Sequence, residues 1–342
     1  MRVLVTGAAG FIGSHASLRL LDEGHSVVGI DSLVRGNPEA ARILGAIGAS
    51  RFRFERCDLA ETARLGELLA GIDLVLHFAA LAYVGESVEQ PLRYWRSNAA
   101  GTLSLLEAMA TAKVGRIIFS STCATYGEPP PERVPIDESC PQHPVNPYGR
   151  SKLACEAIVR DHATAEARAG RPFAHAFLRY FNVAGCDSTG RIGEDHRPET
   201  HLIPICLEVA LGQRAELTIF GDDWGTPDGT CIRDYVHVED LVDAHLAVAA
   251  ALRPGEERIY NLGTGRGHSV REVLEACCAV TGKPIASRIG PRRAGDPPAL
   301  VSSPGRILRE LGWAARKPSL ATMVEDAWRW RAAHPRGYAA GS

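Results

Sequence analysis

The sequence predicts an α/β protein that contains a doubly wound parallel sheet and a second, smaller α/β lobe. In its first half, short β-rich runs alternate with longer segments of helix-like apolar spacing, which is typical of βαβ units. Its 342 residues, of which 45% are hydrophobic and 23% charged, have the composition of an ordinary globular protein. At about 150 residues per domain, this length indicates two lobes or one large unit.

Six strands and four long helices are predicted before residue 182. The strands are Val3–Val5, Val27–Ile30, Phe52–Arg56, Leu74–His77, Ile117–Ser120 and Ala174–Arg179. The helices are Gly13–Glu23, Ala60–Ala70, Asn98–Lys113 and Tyr148–Ala169. Because crossover connections between parallel strands are right-handed, we expect these helices on both faces of the sheet.

The pattern changes after about Asn182, where loops rich in Gly, Pro, Asp and Arg predominate. The helices predicted to interrupt these loops are Leu202–Leu211, Val238–Leu252, Val270–Val280 and Leu320–Arg331. Residues 221–229, Gly-Asp-Asp-Trp-Gly-Thr-Pro-Asp-Gly, are predicted to form a surface loop. We therefore expect one domain over residues 1–182, with a return contribution from about 234–262, and a second domain over 183–342.

Charge and cysteine usage exclude several classes of protein. A formal net charge of -2 provides no basic surface for nucleic acid. No run of about 20 apolar residues predicts a membrane span, and the residues after Met1 show no export signal. The nine cysteines are scattered, and the adjacent pair Cys277 and Cys278 lacks the spacing of metal ligands. We expect reduced thiols, a cytoplasmic protein and no metal site.

A glycine loop follows the first predicted strand, in the sequence Val3-Leu-Val-Thr-Gly7-Ala-Ala-Gly10-Phe-Ile-Gly13. Gly7 and Gly10 allow a tight turn and close approach of the backbone to a ligand, and Gly13 allows close packing of the following helix. The N-terminus of that helix supplies N–H donors and partial positive charge. The loop therefore predicts a Rossmann-type site for a pyrophosphate.

An acidic residue, Asp31, ends the second predicted strand about 20 residues after the loop, where it can accept hydrogen bonds from a ribose. Its carboxylate would repel a 2′-phosphate, which favours NAD over NADP. We interpret the nearby Arg35 as a solvated loop cation. Asp58, at the end of the third strand, has two open interpretations, an adenine contact or a cap of the following helix.

The candidate catalytic residues are Tyr148, Lys152 and Thr122. Tyr148 and Lys152 lie four residues apart on a predicted helix and can therefore face a common ligand. A free tyrosine titrates near 10, so lowering its pKa to about 7 requires about 4 kcal/mol of phenolate stabilisation. Lys152 and a positively charged nicotinamide ring are candidate sources. Thr122 ends a predicted strand, at the sheet edge where open α/β proteins bind ligands.

Together these motifs are similar to those of the extended short-chain dehydrogenases, and further segments resemble the UDP-glucose 4-epimerase family. The segments occur in the order of that family: His77–Ala80, Val84–Val88, Asn98–Thr102, Leu178–Asn182, Arg233–His237, Tyr260–Gly263 and Pro291–Asp296. The similarity covers nearly the whole chain.

The resemblance implies an NAD-dependent isomerase that interconverts UDP-glucose and UDP-galactose at carbon 4. It implies that Tyr148 removes the proton of the 4-hydroxyl, that Thr122 hydrogen-bonds this oxygen, and that Lys152 holds the phenolate and the nicotinamide ribose. Carbon 4 gives its hydride to NAD, the 4-keto sugar then rotates to present its opposite face, and the hydride returns to that face of carbon 4. NAD is therefore expected to stay tightly bound.

The resemblance also implies binding residues and partners. The residues expected to bind NAD are Gly7, Gly10, Phe11, Ile12, Gly13, Asp31, Ser32, Asp58, Leu59, Phe78, Ala79, Ala80, Asn98, Thr122, Tyr148, Lys152 and Phe181. Those expected to bind the UDP-sugar, mainly in the second lobe, are Thr122, Tyr148, Asn182, His201, Leu202, Thr218, Ile219, Phe220, Arg233, Arg293, Asp296 and Leu300. A homodimer paired through helices like Asn98–Lys113 and Lys152–Ala169, working in galactose metabolism, is also implied.

Four positions depart from the family pattern. Thr122 replaces a common serine and keeps the hydroxyl, whereas Ala82 replaces a lysine that can contact the cofactor. His201 stands where some relatives have asparagine. Leu300 falls where a tyrosine or a smaller residue adjusts the sugar pocket, so N-acetylated UDP-hexoses are further candidate substrates.

Three alternative functions follow from the same sequence. The first is a 4-epimerase that acts mainly on UDP-N-acetylhexosamines or UDP-pentoses. A 4,6-dehydratase or decarboxylase is disfavoured because Cys123 and Ala124 follow Thr122 where such enzymes need a carboxyl group. The third, from a different class, is a non-catalytic NAD-binding sensor or scaffold, against which the intact Thr122, Tyr148 and Lys152 argue.

Overall fold

The computed structural model describes residues 1–293 and 295–338. Its strands are β1 (Arg2–Thr6), β2 (Ser26–Asp31), β3 (Phe52–Arg56), β4 (Leu74–His77), β5 (Arg116–Thr122), β6 (Ala174–Tyr180), β7 (Asn182–Ala184), β8 (Leu217–Phe220), β9 (Ile232–His237), β10 (Glu257–Leu262), β11 (Gly267–Ser269), β12 (Ser287–Gly290) and β13 (Ala299–Leu300). Its helices are α1 (Phe11–Asp22), α2 (Pro38–Gly48), α3 (Thr62–Leu68), α4 (Val84–Glu89), α5 (Pro91–Tyr94), α6 (Gly101–Ala112), α7 (Pro147–Arg168), α8 (Leu202–Ala210), α9 (Val238–Ala251), α10 (Val270–Thr281), α11 (Gly305–Leu311) and α12 (Leu320–Ala333).

A seven-stranded sheet forms the larger part of the fold, in the order β10-β6-β5-β4-β1-β2-β3. Strands β3, β2, β1, β4 and β5 pair in parallel, with Val5 opposite Gly29 of β2 and Leu76 of β4. The direction of winding reverses beside β1, because β2 and β4 lie on its two sides. Ligands of open α/β sheets bind at the carboxyl ends of the strands at such a reversal, which is where the glycine loop begins.

Parallel strands covered by helices are buried on both faces and therefore read as continuous apolar runs. Val3, Leu4 and Val5 of β1 are wholly buried, as are Leu74 and Val75 of β4. Their core is completed by side chains from α3, α6 and α7, among them Leu65, Leu105, Met109, Cys155 and Val159. This packing fixes the strand ends from which the predicted site residues project.

The predicted elements of the first half are confirmed, with shifts at their ends. All six predicted strands form, and the four predicted helices correspond to α1, α3, α6 and α7. The prediction that a regular helix begins at Asn98 was wrong, since Trp95–Ala100 is a π-helix and α6 begins at Gly101. Helix α2 was not predicted, although the Asn37 side chain caps it and Pro38 occupies its first turn, which are ordinary signals of a helix start.

The description of the region after Asn182 as loops and helices was incomplete. The four predicted helices form, but among the described residues seven strands, β7 to β13, form from Asn182 onward as well, and β10 joins the large sheet. β9 pairs in parallel with β7 and β13 and antiparallel with β11, and β8 pairs in parallel with β12. Strands this short contain too little alternation of apolar and polar residues to be recognised in a sequence. They form because the rest of the fold holds their partner strands nearby.

The chain divides into two compact units. Unit 1 comprises Met1–Gly127, Gln142–Arg179 and Ala244–Tyr260, and it holds the seven-stranded sheet apart from the last residues of β6 and β10. Unit 2 comprises Glu128–Pro141, Tyr180–Asp243 and the described part of Asn261–Ser342, and it holds the strands around β9.

Two further expectations bear on the class of protein. No helix in residues 1–293 or 295–338 is long and apolar enough to cross a membrane. The nine cysteines are all free, and all but Cys278 are buried, which agrees with the expected reduced thiols.

Candidate active site

The glycine loop turns tightly from β1 into α1. Gly7 adopts a left-handed backbone with φ of 71°, and a Cβ there would lie 2.8 Å from the backbone nitrogen of Ala79. A Cβ on Gly13 would lie 2.1 Å from the carbonyl oxygen of Gly7. Both positions therefore require glycine, and α1, which begins with Phe11 and Ile12, has its N-terminus at the turn. This cradle fits the pyrophosphate of a dinucleotide.

Asp31 lies beside this loop at the end of β2. Its carboxylate accepts hydrogen bonds from the backbone nitrogens of Ala9, at 3.1 Å, and Leu33, at 2.8 Å. Burial raises the pKa of this carboxyl, and the two backbone donors oppose the rise. Asp31 thus ties the strand end to the glycine loop, and Ser32 follows it with a hydroxyl 3.5 Å from the backbone nitrogen of Val34.

Arg35 is not the solvated cation that the sequence suggested. Its Nη2 lies 2.5 Å from Oε1 of Glu86, and its guanidinium lies over the Tyr83 ring at 4.9 Å. Arg93 and the Tyr94 hydroxyl also bond Glu86. The helix that supplies Glu86 is distant in sequence from Arg35, so the pairing had no local signal.

Asp58 caps the turn that leads to α3. Its Oδ1 accepts a hydrogen bond from the backbone nitrogen of Ala60 at 2.9 Å, and its own backbone nitrogen bonds Oε1 of Glu61 at 2.7 Å. The side chain is exposed, which leaves its second oxygen accessible. Leu59, the next residue, packs against Gly101 at the start of α6.

The loop after β4 carries Phe78, Ala79 and Ala80, and a polar network holds it. The Thr6 hydroxyl accepts from the backbone nitrogen of Ala79 at 3.1 Å and lies 2.7 Å from Nδ1 of His77. Burial, assisted by the charge of Lys152, lowers the pKa of His77 to about 3, so this imidazole is neutral. The Phe78 ring rests on His245 at a centroid separation of 4.9 Å.

Asn98 joins this loop to α7. Its Oδ1 accepts from the backbone nitrogen of Leu81 at 2.9 Å, and its Nδ2 donates to the Leu81 carbonyl and the Ser151 hydroxyl, each at 3.0 Å. The wide π-helical turn brings the amide into reach of both. Asn98 therefore positions the loop after β4 relative to the helix that carries Tyr148.

Thr122 and Tyr148 meet at the end of β5. The backbone nitrogen of Ala124 donates to Oγ1 of Thr122 at 3.1 Å, so one lone pair of this hydroxyl is occupied and its hydrogen is free to point elsewhere. It donates to the Tyr148 phenol, and this hydrogen bond favours the phenolate. Burial has the larger, opposite effect and raises the pKa of Tyr148 to about 12.

Lys152 lies one turn further along α7 and is buried. Its Nζ donates to the carbonyl oxygen of Ser120 at 2.7 Å and lies 4.7 Å from the centre of the Phe119 ring. Burial lowers the pKa of Lys152 to about 8. The ammonium form still predominates at neutral pH, so the side chain provides a cation beside the end of β5.

A buried ion pair beneath these residues was not predicted. Arg179 of β6 donates from Nη2 and Nε to the Glu156 carboxylate at 2.7 and 3.0 Å, and the Ser121 hydroxyl donates to the same carboxylate at 2.6 Å. Arg179 also bonds the Tyr126 hydroxyl. The available signal was an arginine within the apolar run Ala174–Tyr180, since a charge in such a run requires a buried partner.

In unit 2, the structure brings together four of the predicted substrate residues. Arg293 lies over the Phe220 ring at 4.5 Å, and its Nε is 3.2 Å from Oδ2 of Asp296. Arg233 Nη2 lies 3.8 Å from Oδ1 of the same carboxylate. Two guanidinium groups, a carboxylate and a half-exposed aromatic face can bind phosphate, ribose hydroxyls and a base.

Leu300 belongs to the same region, because its backbone pairs with Arg233 in the register of β13 and β9. Its side chain is buried. Thr218 and Ile219 precede Phe220 in β8, and Ile219 is buried beneath the strand. The neighbouring Asp234, which was not predicted, accepts from Thr264, Gly265 and Ser302 and holds β9 in place.

The remaining predicted residues, Asn182, Phe181, His201 and Leu202, lie elsewhere in unit 2. Asn182 begins β7 opposite Tyr235, and the backbone nitrogen of the buried Phe181 donates to the Leu262 carbonyl. His201 is the N-cap residue of α8, which Leu202 begins, and its Nδ1 lies 2.7 Å from Oε1 of Glu199.

Comparisons with known proteins show the family to which the chain belongs. Residues 3–263 match the NAD dependent epimerase/dehydratase family. The chain belongs to this family. A UDP-glucose 4-epimerase from Halalkalibacterium halodurans is 49% identical over 99% of this chain and 98% of the relative. UDP-arabinose 4-epimerase 1 from Arabidopsis thaliana is 45% identical over 98% of this chain and 80% of the relative.

A solved structure of UDP-glucose 4-epimerase from Bifidobacterium longum, in complex with NAD+ and UDP, superposes with a TM-score of 0.93. It is 38% identical and the match covers 98% of this chain and 100% of that one. The predicted resemblance to epimerases and the predicted Rossmann-type fold are thereby confirmed, and membership of the family makes NAD the expected cofactor of the glycine cradle.

Proposed function

We propose that this protein is an NAD-dependent epimerase that interconverts UDP-glucose and UDP-galactose by inverting carbon 4. The observation that carries this proposal is the Thr122–Tyr148 hydrogen bond at the end of β5, one helical turn from the buried Lys152. A hydroxyl pair that can exchange a proton, with a cation nearby, suits oxidation and reduction of an alcohol. Membership of the family and similarity to UDP-glucose 4-epimerases support this choice.

Tyr148 is assigned as the proton acceptor and Thr122 as its partner. The Tyr148 oxygen takes the proton of the sugar 4-hydroxyl, while the Thr122 hydroxyl bonds the same oxygens and keeps them aligned. The pKa of Tyr148 is raised to about 12 by burial, so the chain alone holds the phenol protonated at neutral pH. Bringing this pKa to about 7 requires roughly 7 kcal/mol, at 1.36 kcal/mol per unit.

Lys152 contributes to this stabilisation as a buried ammonium. Bound NAD supplies the hydride acceptor and donor for carbon 4 and brings a second positive charge to the phenol. Because the oxidation and the reduction at carbon 4 cancel, NAD is regenerated in each turnover. The protein therefore retains its cofactor. His77 stays neutral beside Thr6 and serves to position the loop after β4.

Unit 1 is assigned to NAD and unit 2 mainly to the UDP-sugar. The glycine cradle holds the pyrophosphate and Asp31 the adenosine ribose, while Phe78, Ala79 and Ala80 lie on the loop that Thr6 and Asn98 hold. In unit 2 the Arg233, Arg293, Asp296 and Phe220 group is assigned to the phosphates, ribose and uracil. Each assignment rests on the charge and hydrogen-bonding capacity of the named side chains.

Leu300 is assigned to control of substrate breadth. It is a buried residue whose strand pairs with β9 at Arg233, so a change in its volume alters the space beside that arginine. Because leucine lacks the rigid phenol of tyrosine, we propose partial activity on N-acetylated UDP-hexoses. Leu300→Tyr should lower and Leu300→Ser should raise the ratio of N-acetylated to plain hexose turnover. An identical ratio in all three proteins refutes this assignment.

We propose a homodimer formed through the helices of unit 1. Large apolar side chains are exposed on neighbouring helical segments there: Val88, Leu92, Trp95 and Leu103. Exposed apolar side chains of this kind are typical of an interface. Light scattering should give twice the chain mass, and Leu92→Glu with Leu103→Glu should halve it. The control is Leu308→Glu, which changes a leucine in unit 2 with an exposure similar to that of Leu103. A monomeric wild type contradicts the assignment.

The free, buried thiols also suit a reducing cytoplasm, and we propose that compartment and a role in galactose metabolism.

The function itself is tested by incubating the purified chain with UDP-glucose, UDP-galactose, their N-acetyl forms and UDP-pentoses, without added NAD. Epimerised hexose products are expected. Conversion of pentoses alone would favour the alternative substrate class, and no conversion of any sugar would favour a non-catalytic NAD-binding protein.

A further inference from the structure

Four ligand-type side chains converge at the segment that leads into α8 in unit 2. They belong to the pattern Glu-x-His-x-x-Glu-x-His, and we name them the Glu/His cluster: Glu194, His196, Glu199 and His201. One nitrogen or oxygen from each lies within 4.8 Å of those of the other three. The expectation of no metal site rested on the spacing of the cysteines alone and took no account of these side chains.

Three of the four nitrogen–oxygen separations within the cluster are close to those between the ligands of a tetrahedral metal ion, and the fourth, at 2.7 Å, is a hydrogen bond that a bound ion would replace. Nδ1 of His196 lies 3.1 Å from Oε1 of Glu194 and 3.6 Å from Oε2 of Glu199. Nδ1 of His201 lies 3.5 Å from Oε1 of Glu194 and 2.7 Å from Oε1 of Glu199. Metal–ligand bonds of about 2.1 Å in a tetrahedron place neighbouring ligands about 3.4 Å apart.

Burial and charge in the cluster also suit a divalent cation. The Glu194 and Glu199 side chains are only 6% and 4% exposed, so their carboxylates require positive charge nearby. A divalent cation compensates the same two carboxylates while both imidazoles remain neutral ligands.

We propose that the Glu/His cluster binds a divalent transition-metal cation of the zinc class. Two imidazoles with two carboxylates favour zinc or cobalt over magnesium and calcium, which prefer oxygen ligands. Because His201 is the N-cap residue of α8 and is 41% exposed, the ion can enter from solvent and fixes the start of that helix. The proposal goes beyond the proposed epimerase function and does not depend on it.

The experiment titrates Co²⁺, and then Zn²⁺ in competition, into the tag-free full chain with its NAD after treatment with a chelator. One equivalent of Co²⁺ should give the strong visible absorption of a tetrahedral nitrogen and oxygen site, without the near-ultraviolet band of cobalt–thiolate bonds. Zn²⁺ should displace it, Mg²⁺ should not, and Zn²⁺ should raise the melting temperature.

The variants are His196→Ala and Glu194→Gln, with His143→Ala as a matched control because that histidine is exposed and lies outside the cluster. Loss of an outer partner of a metal ligand costs about 10–100-fold in affinity, so loss of a ligand should cost more than about 100-fold. The proposal is overturned if both variants bind Co²⁺ as tightly as the wild type, or if the bound Co²⁺ shows thiolate absorption. It is also overturned if the wild type binds Co²⁺ no more tightly than His196→Ala does. Should one variant fail to fold, Glu199→Gln provides the same test. UDP-sugar turnover is measured separately, so failure of the metal site and failure of the epimerase assignment are distinguishable.

Discussion

At the level of single residues, the pKa of Tyr148 is the quantity on which the proposed chemistry depends. Burial raises it to about 12 and the Thr122 hydrogen bond lowers it. We expect Tyr148→Phe to reduce turnover about 10²–10⁴-fold, since it removes the proton acceptor while keeping the ring. The bound NAD and the melting temperature should stay close to those of the wild type. Near-normal turnover in this variant would exclude Tyr148 as the acceptor.

Asp31 is expected to hold the glycine loop and to bind the adenosine ribose. Variants can distinguish a loss of NAD binding from a general loss of stability. Its two carboxylate oxygens accept from Ala9 and Leu33 next to the glycine loop. We expect Asp31→Ala to lose NAD during gel filtration, and Asp31→Asn, which keeps one of the two acceptors, to lose less. Asp73→Ala is the control, because the Asp73 carboxylate also accepts from a backbone nitrogen, that of Arg2, but at the opposite end of β1. Equal NAD retention in wild type and Asp31→Ala would contradict the assignment.

At the level of elements, the turn from β1 into α1 tolerates no side chain at positions 7 and 13. A Cβ at position 13 would overlap the Gly7 carbonyl, so Gly13→Ala must displace the helix or the cradle. We expect loss of bound NAD together with a lower melting temperature. Gly66→Ala, inside α3, meets nothing within 4 Å and should be neutral or stabilising by about 1 kcal/mol. Retained NAD in Gly13→Ala would show that the cradle does not bind the pyrophosphate.

The contact between α7 and β6 rests on the Arg179–Glu156 pair, both of whose side chains are at most 3% exposed. We expect Arg179→Met to lower the free energy of unfolding by about 3–5 kcal/mol, because it leaves a buried carboxylate without its cation. The control is Arg160→Met. Arg160 is 35% exposed and reaches the same carboxylate at 3.6 Å, so its loss should cost about 0–1 kcal/mol. Equal decreases in the free energy of unfolding by urea for Arg179→Met and Arg160→Met would refute this distinction between the two arginines.

Elements with a strong local signal were predictable, and those that depend on distant partners were not. Six of the seven strands of the large sheet were predicted, the central ones as apolar runs, and the glycine loop follows the first of them directly. The π-helical turn at Asn98 and the two-residue strand at Leu300 exist because of tertiary partners, Leu81 and Ser151 for the amide and β9 for the strand. Periodicity within a short window carries no information about such partners.

The same distinction holds for the candidate site. Tyr148 and Lys152 could be paired from sequence because a helix sets their spacing. The partnerships of Arg35 with Glu86 and of Glu156 with Arg179 join residues 51 and 23 positions apart, so only the fold reveals them. The Glu/His cluster lies within eight residues, so its spacing is a local signal, but the expectation of no metal site rested on cysteines alone.

At the level of the whole molecule, the proposed epimerisation removes hydrogen from carbon 4 and returns it to the same carbon within one protein-bound cycle. The direct test uses UDP-galactose labelled with deuterium at carbon 4, incubated with the purified chain without added NAD, and follows the product by NMR and mass spectrometry. The expected product is UDP-glucose that retains deuterium at carbon 4, with no hydrogen taken up from solvent. Loss of the label to water, or no conversion by protein that contains NAD, would contradict it.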